Sequence, residues 1–126
     1  MQDIQIALAT DSKAFQPTLV AMWSAVKNST RTVQVHFFGY NLTKLEQAQL
    51  EKIFKKRSHS KLFYHELKES MFDGAVQKSK YISLVTLARM YIPKLLKGKV
   101  LYLDGDTITY GDIAPLFDFD FGSSLI

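Results

Sequence analysis

Lys99-Val100-Leu101-Tyr102-Leu103-Asp104-Gly105-Asp106-Thr107 is an apolar run that ends abruptly in two carboxylates one residue apart. The run from Val100 to Leu103 reads as a short strand buried on both faces of a parallel sheet, because an exposed hairpin arm would alternate polar and apolar residues and this one does not. In an extended segment residues i and i+2 share a face, so Asp104 and Asp106 are expected to converge at the carboxyl end of that strand, where open α/β sheets place their ligands. Two carboxylates so close repel one another until one takes up a proton or a hard divalent cation neutralises both. The same residues carry a second reading. Asp-Gly between apolar residues is a strong signal for a tight β-hairpin, with Thr107, Ile108 and Thr109 as the returning strand.

Outward from this stretch, the chain reads as alternating strands and helices. Ile4, Ile6 and Leu8 alternate with Gln5 and Ala7 in a first strand that ends at Ala9-Thr10-Asp11, which puts Asp11 at a strand tip like Asp104. Pro17 marks a helix start, and Leu19, Met22, Trp23 and Val26 fall on one buried helical stripe, with Trp23 read as core. A second strand over Val33 to Phe38 is closed by Gly39. Thr43 and Glu46 then have the spacing of a capping box that opens a helix carrying Leu45, Leu50, Ile53 and Phe54 inward. Leu62, Phe63 and Tyr64 supply a third strand. Ser83 to Pro93 reads as a largely apolar helix whose single charge, Arg89, shares a face with Thr86. A structural ion pair or snorkelling side chain is one reading of Arg89, and a guanidinium that holds a site carboxylate or a donor phosphate is the other. The alternation predicts a βαβ sheet with helices on both faces. Leu125 and Ile126 look like the opening of another strand with nothing after it, an edge that is a candidate for self-association as a homodimer.

At 126 residues and without cysteine, the chain is expected to form one domain with no disulfide or thiolate chemistry. Met1 to Gln5 shows no basic region followed by an apolar stretch, and no run is long enough to span a bilayer, so a cytoplasmic location is expected. The formal net charge of +4 points to an anionic partner, such as a nucleotide, a phosphorylated substrate or membrane head groups at a peripheral contact. It is not a nucleic-acid signature, since the densest cluster, Lys52, Lys55, Lys56 and Arg57, reads as the solvated side of a helix. His36, His59 and His65 have no metal-ligand spacing and read as structural or exposed. Neither a G-x-x-x-x-G-K-S/T loop nor a G-x-G-x-x-G turn occurs, so a nucleotide would be held through metal and side chains.

Four blocks together resemble the family 8 glycosyltransferases: Ile6-Ala7-Leu8-Ala9-Thr10-Asp11, the Ser83 to Arg89 helix, Lys99 to Asp106, and Gly111-Asp112-Ile113 through Leu116-Phe117. The resemblance runs across the whole chain. It implies a Rossmann-like GT-A nucleotide-binding sheet, metal-dependent transfer of a hexose with retention from a UDP-sugar donor to a glycan or lipid-linked, lipopolysaccharide-type acceptor, and Mn²⁺, with Mg²⁺ as the other candidate. By position, the resemblance makes Asp104 and Asp106 the metal ligands, with Gly105 between them in the donor-binding set. It has Ala9, Thr10 and Asp11 line the uracil and ribose pocket, Asp11 accepting from the base, and Arg89 contact the donor sugar or diphosphate. Where relatives carry an asparagine or acid and then a tyrosine, Lys13 and Ala14 stand here, a difference that bears on nucleotide choice. The family pattern continues well beyond this length. Residues 1–126 are therefore expected to be the N-terminal nucleotide-sugar-binding part of a GT-A domain, incomplete at the C-terminus, lacking the acceptor half and binding donor only. The alternative is a noncatalytic nucleotide-sugar or metal-binding module.

Overall fold

The computed structural model describes residues 3–55, 60–68, 92 and 96–118. The alternation at the amino terminus becomes β1 (Ile4–Asp11), followed by α1 (Phe15–Lys27), β2 (Val33–Tyr40), α2 (Lys44–Lys55), β3 (Ser60–Glu66), β4 (Leu101–Tyr102) and a 3₁₀ helix at Ala114–Asp118. The four strands form one sheet in the order β3-β2-β1-β4, with every pair parallel. The fold is α/β and Rossmann-like, as the alternation predicts. The chain steps from β1 through β2 to β3 in one direction and then returns to place β4 on the far side of β1. The sheet therefore reverses its strand order between β1 and β4.

Each face of the sheet has its own core. Ile4, Ile6 and Leu8 of β1 and Val33, Val35 and Phe37 of β2 pack against α1, whose Phe15, Leu19, Met22 and Val26 form a single stripe, and against Leu50 of α2. On the other face Ala7, Ala9 and Phe38 pack with Leu67 and Ile92. The apolar run that ends in the carboxylates serves both faces. Leu101 and Leu103 join the first core, and Val100 and Tyr102 join the second. This is why the run shows no polar alternation. Its strand is shorter and more open than expected, covering only Leu101–Tyr102 with both side chains partly exposed. Among the described residues, β4 is paired on one flank alone.

The capping box at the start of α2 forms in full. The Thr43 N–H donates to Glu46 Oε1 at 2.9 Å and the Glu46 N–H donates to Thr43 Oγ1 at 3.1 Å. Leu45, by contrast, is 83% exposed rather than inward. Five residues separate it from Leu50, and at 3.6 residues per turn that rotates it by about 140° from the buried side. Lys52 and Lys55 lie on the solvated side as expected. α1 begins at Phe15, two residues ahead of Pro17, and Trp23 is only partly buried at the margin of its stripe. Gly39 lies inside β2 instead of closing it, in a place where a Cβ would come within 2.5 Å of Tyr64 Oη and 2.6 Å of Leu42 Cδ1.

After β4 the chain runs beside α1 toward the amino ends of the strands. The Thr109 N–H donates to Ser24 Oγ at 2.8 Å, and Asn28 Nδ2 donates to the Thr109 carbonyl at 2.9 Å. Asp112 accepts from the Thr30 hydroxyl at 2.5 Å, the Thr30 N–H at 3.2 Å and the Ala114 N–H at 2.9 Å, so it fastens the loop and caps the 3₁₀ helix together. These bonds hold its carboxyl below the usual aspartate range, with the Thr30 hydroxyl the largest cause. Ile113 and Ala114 are buried in the first core. Among the described residues, no helix is long and apolar enough to cross a membrane.

Candidate functional site

The carboxyl ends of β1 and β4 are neighbours at the point where the strand order reverses, and each leads into a segment with a carboxylate. Ile6 pairs with Leu101 and Ala7 with Tyr102, and the Leu103 N–H donates to the Ala7 carbonyl at 2.9 Å before the ladder stops. Asp104 therefore leaves the sheet beside the last third of β1, which carries Ala9, Thr10 and Asp11. In doubly wound sheets the crevice at such a reversal is where ligands bind.

Neither sequence reading of the Asp104 stretch describes its local shape. The segment is not extended through Asp106, so the shared-face rule for residues i and i+2 does not hold. Residues 105–106 form a turn, in which the Thr107 N–H donates to the Asp104 carbonyl at 3.2 Å and the Thr107 hydroxyl donates to the same oxygen at 2.7 Å. The hairpin is absent too, because residues 107–110 form no strand and the chain runs down beside α1. What results is a compact turn with Asp104 and Asp106 both exposed. Gly105 is pressed against α1, and a Cβ there would collide with Thr18 Oγ1 and lie 3.3 Å from Thr18 Cβ.

The β1 tip is shaped by its own residues. Ala9 and Thr10 are buried. The Thr10 hydroxyl donates to the Asp11 carbonyl at 2.9 Å. Asp11 Oδ1 accepts from the Ala14 N–H at 3.0 Å, which satisfies one of the donors left open where α1 begins. Ser12 Oγ lies 3.1 Å from the Asn41 carbonyl and 2.7 Å from Glu46 Oε1, so its single hydroxyl proton ties the loop after β1 to the capping box after β2. Glu46 accepts from both Thr43 and Ser12, and these bonds, led by the Thr43 N–H, lower its carboxyl below the ordinary glutamate range. Asn41 turns the chain between β2 and α2 with φ of 52°, a left-handed conformation that asparagine tolerates better than most residues. The links through Thr18 and Ser12 were not predicted from sequence, since each joins residues brought together only by the sheet order.

Arg89, the Ser83 to Arg89 helix, His59, Lys56, Arg57, Leu125 and Ile126 lie outside the described residues. Of the histidines, His36 and His65 come together on adjacent strands. His36 Nδ1 is 3.2 Å from His65 Nε2, and His36 Nε2 is 3.1 Å from Gln5 Oε1. Gln5 Nε2 donates to the Lys97 carbonyl at 3.0 Å, which leaves its Oε1 to accept from His36. Burial is the leading cause that lowers the basicity of both rings. Phe63 stacks on His36 and Phe38 on His65. The pair lies on the sheet face away from α1 and α2, and no third histidine, aspartate or glutamate joins it among the described residues.

A parallel sheet with this reversal is an α/β Rossmann-like sheet, the class of fold found in GT-A glycosyltransferases. Solved structures of that class superpose on it. The bifunctional glycosyltransferase WbbM gives a TM-score of 0.82 at 18% identity, covering 95% of this chain and 21% of WbbM. An active-site mutant of LgtC gives 0.73 at 21% identity, covering 94% of this chain and 43% of LgtC. Residues 5–126 match the model of glycosyl transferase family 8, and the chain belongs to that family. Galacturonosyltransferase 14 of Arabidopsis thaliana is similar at 46% identity over 48 residues, 36% of this chain and 9% of that protein. A glycosyltransferase of Haemophilus influenzae is 25% identical over 121 residues, 94% of this chain and 36% of its own length. The chain thus spans well under half the length of the curated relatives it matches.

Proposed function

We propose that this chain is the donor-binding part of a retaining hexosyltransferase that uses a UDP-sugar, with Mn²⁺ or Mg²⁺ at Asp104 and Asp106, and a glycan or lipopolysaccharide-type acceptor. The observation that carries the reading is that the segments bearing Asp11 and the Asp104–Asp106 turn leave neighbouring strands, β1 and β4, at the strand-order reversal seen among the described residues. The donor set fits a hard divalent cation. Two exposed carboxylates in one turn offer oxygen ligands only, and no third His, Asp or Glu joins them among the described residues. Mg²⁺-type sites are commonly of this kind, completed by substrate phosphates and water. A cation held by Asp104 and Asp106 would supply Lewis-acid stabilisation of negative charge on a diphosphate leaving group.

The other roles belong to the chain's own residues. Ala9 and Thr10 give a small, buried floor that lets a flat base and ribose approach β1 closely. Asp11 accepts from the uracil N–H through Oδ2, since Oδ1 is engaged by the Ala14 N–H. Arg89 supplies positive charge to the donor sugar or diphosphate. LgtC has been solved with donor and acceptor sugar analogues, and similarity to that enzyme supports a donor and an acceptor for the complete protein here.

Calorimetric titration of UDP with Mn²⁺ tests the reading. Asp106→Asn is expected to abolish the metal-dependent part of binding while the protein stays folded, because Asp106 is exposed and supports no core contact. Unchanged metal-dependent binding in that variant would remove Asp106 from the site.

A further inference from the structure

We infer that Thr18 on α1 is a positioning residue that sets the Asp104–Asp106 turn against the β1 tip, and that Gly105 is required because Thr18 occupies the space a side chain there would need. The inference rests on the donor-site reading above and deepens it. It concerns how the two halves of the site are kept in register.

The geometry is a short relay of contacts. Asp11 Oδ1 accepts from the Ala14 N–H at 3.0 Å. The Ala14 carbonyl in turn accepts from the Thr18 hydroxyl at 2.8 Å and from the Thr18 N–H at 3.1 Å. Thr18 is buried, and its Oγ1, fixed by that bond, is the atom a Cβ on Gly105 would strike. Thr18 Cβ would stand 3.3 Å and its Cα 3.6 Å from the added carbon. The backbone of the turn therefore lies directly on the helix. Thr107 closes the turn through two bonds to the Asp104 carbonyl, so the turn moves as one piece when Gly105 is displaced. The first turns of α1 act as a spacer, with one end holding the Asp11 carboxylate and the other the backbone between the two acidic residues. Among the described residues the ladder between β1 and β4 ends at the Leu103 N–H bond to the Ala7 carbonyl, so beyond Leu103 the contact with α1 is what the turn rests on.

A side chain at position 105 must push the turn away from α1 or force Thr18 out of its bond to Ala14. Either movement shifts carboxylates that must sit within about half an ångström of their working geometry.

The test combines Gly105→Ala with two changes at position 18, and follows UDP affinity in the presence of Mn²⁺ together with the thermal midpoint. Gly105→Ala alone is expected to weaken UDP binding with Mn²⁺ by about tenfold or more, the scale at which small misplacements act. Adding Thr18→Ala removes the obstructing Oγ1, lets the added Cβ at position 105 take its place against α1, and is expected to restore most of the affinity. Adding Thr18→Val, which keeps an atom in that place, is expected to leave the loss uncorrected. A purely structural role would instead make affinity follow the midpoint in all variants. If Gly105→Ala alone does not fold, the two double variants make the comparison, with only the Thr18→Ala form expected to fold and bind. Wild-type affinity in Gly105→Ala, or equal rescue by Thr18→Ala and Thr18→Val, overturns the inference and leaves the donor site standing. Wild-type protein that binds no UDP at saturating Mn²⁺ overturns the donor-site reading and the inference with it.

Discussion

The two flanks of β1 are built differently. On one side β1 pairs with β2 along its whole length, from Ile4 against Val33 to Asp11 against Tyr40, and β2 continues into β3 in the same register. On the other side β1 pairs with β4 only at Ile6–Leu101 and Ala7–Tyr102, after which the chain folds into the Asp104–Thr107 turn. The long flank has its strand tips tied together by Ser12, Asn41, Thr43 and Glu46. The short flank ends early, and its last third leaves β1 without a partner strand among the described residues. That is where the proposed donor site has Asp11, Asp104 and Asp106. Scaffold and site are thus two sides of a single strand. Stability is expected to depend on the β2 flank and ligand binding on the β4 flank.

The division can be broken most strongly from the scaffold side. Phe37 is fully buried and meets Phe15 edge-on with ring centroids 6.1 Å apart. Phe37→Ala is expected to cost about 3–5 kcal/mol of stability, a large part of what a domain this size possesses, and chemical denaturation would report it. Comparable loss of midpoint from Asp106→Asn would erase the distinction between the flanks. A smaller effect is expected from Gly39→Ala. The new Cβ meets Tyr64 Oη and Leu42, both partly or wholly buried, and overpacking of this kind costs about 1–3 kcal/mol. Its UDP affinity, measured on the folded fraction, is expected to stay near that of the wild type.

The smallest expected effect is a pH dependence confined to the scaffold side. Burial lowers the basicity of His36 and His65 in the folded state, so over the range between their folded values and the ordinary value of 6.5 the unfolded chain binds more protons. Stability is therefore fully present above pH ~6.5 and falls as the pH drops below it. His36→Gln is expected to flatten that part of the profile, followed by the denaturation midpoint against pH. The lowered carboxyls of Glu46 and Asp112 act in the same direction at lower pH, where their stabilising ionised forms are lost. An unchanged slope in His36→Gln would take His36 out of this dependence and leave His65 as its source.

Much of the scaffold was legible because its signals are local. The alternation of Ile4, Ile6 and Leu8 needs no distant partner to read as a strand, and Thr43 with Glu46 needs only its own spacing to read as a cap. Leu45 departs from its expected inward place because the helical period turns a residue five positions before Leu50 away from the buried side. The site was legible in part. The unbroken apolar run before Asp104 marked a two-faced strand and its carboxyl end. The sequence alone could not show that Thr107 bends the chain back onto the Asp104 carbonyl, which replaces the extended geometry assumed for the two carboxylates. His36 and His65 escaped for another reason. Their approach depends on the register of β2 against β3, two parallel strands joined by a long crossover, and neither strand read alone shows which residue of the other it will face. Thr18 and Gly105 are 87 positions apart, and only the placement of β4 beside β1 brings them together.

A metal-dependent nucleotide site in the β1–β4 crevice, as proposed, is to be sought first in the thermal unfolding midpoint measured with UDP, with Mn²⁺ and with both. At about 100 times the dissociation constant a ligand stabilises the native state by about 2.7 kcal/mol, enough to raise the midpoint of a domain this size by several degrees. Such a rise is expected with UDP and Mn²⁺ together, little with either alone, and none in Asp106→Asn. No rise at saturating concentrations of both, or an equal rise in Asp106→Asn, would contradict it.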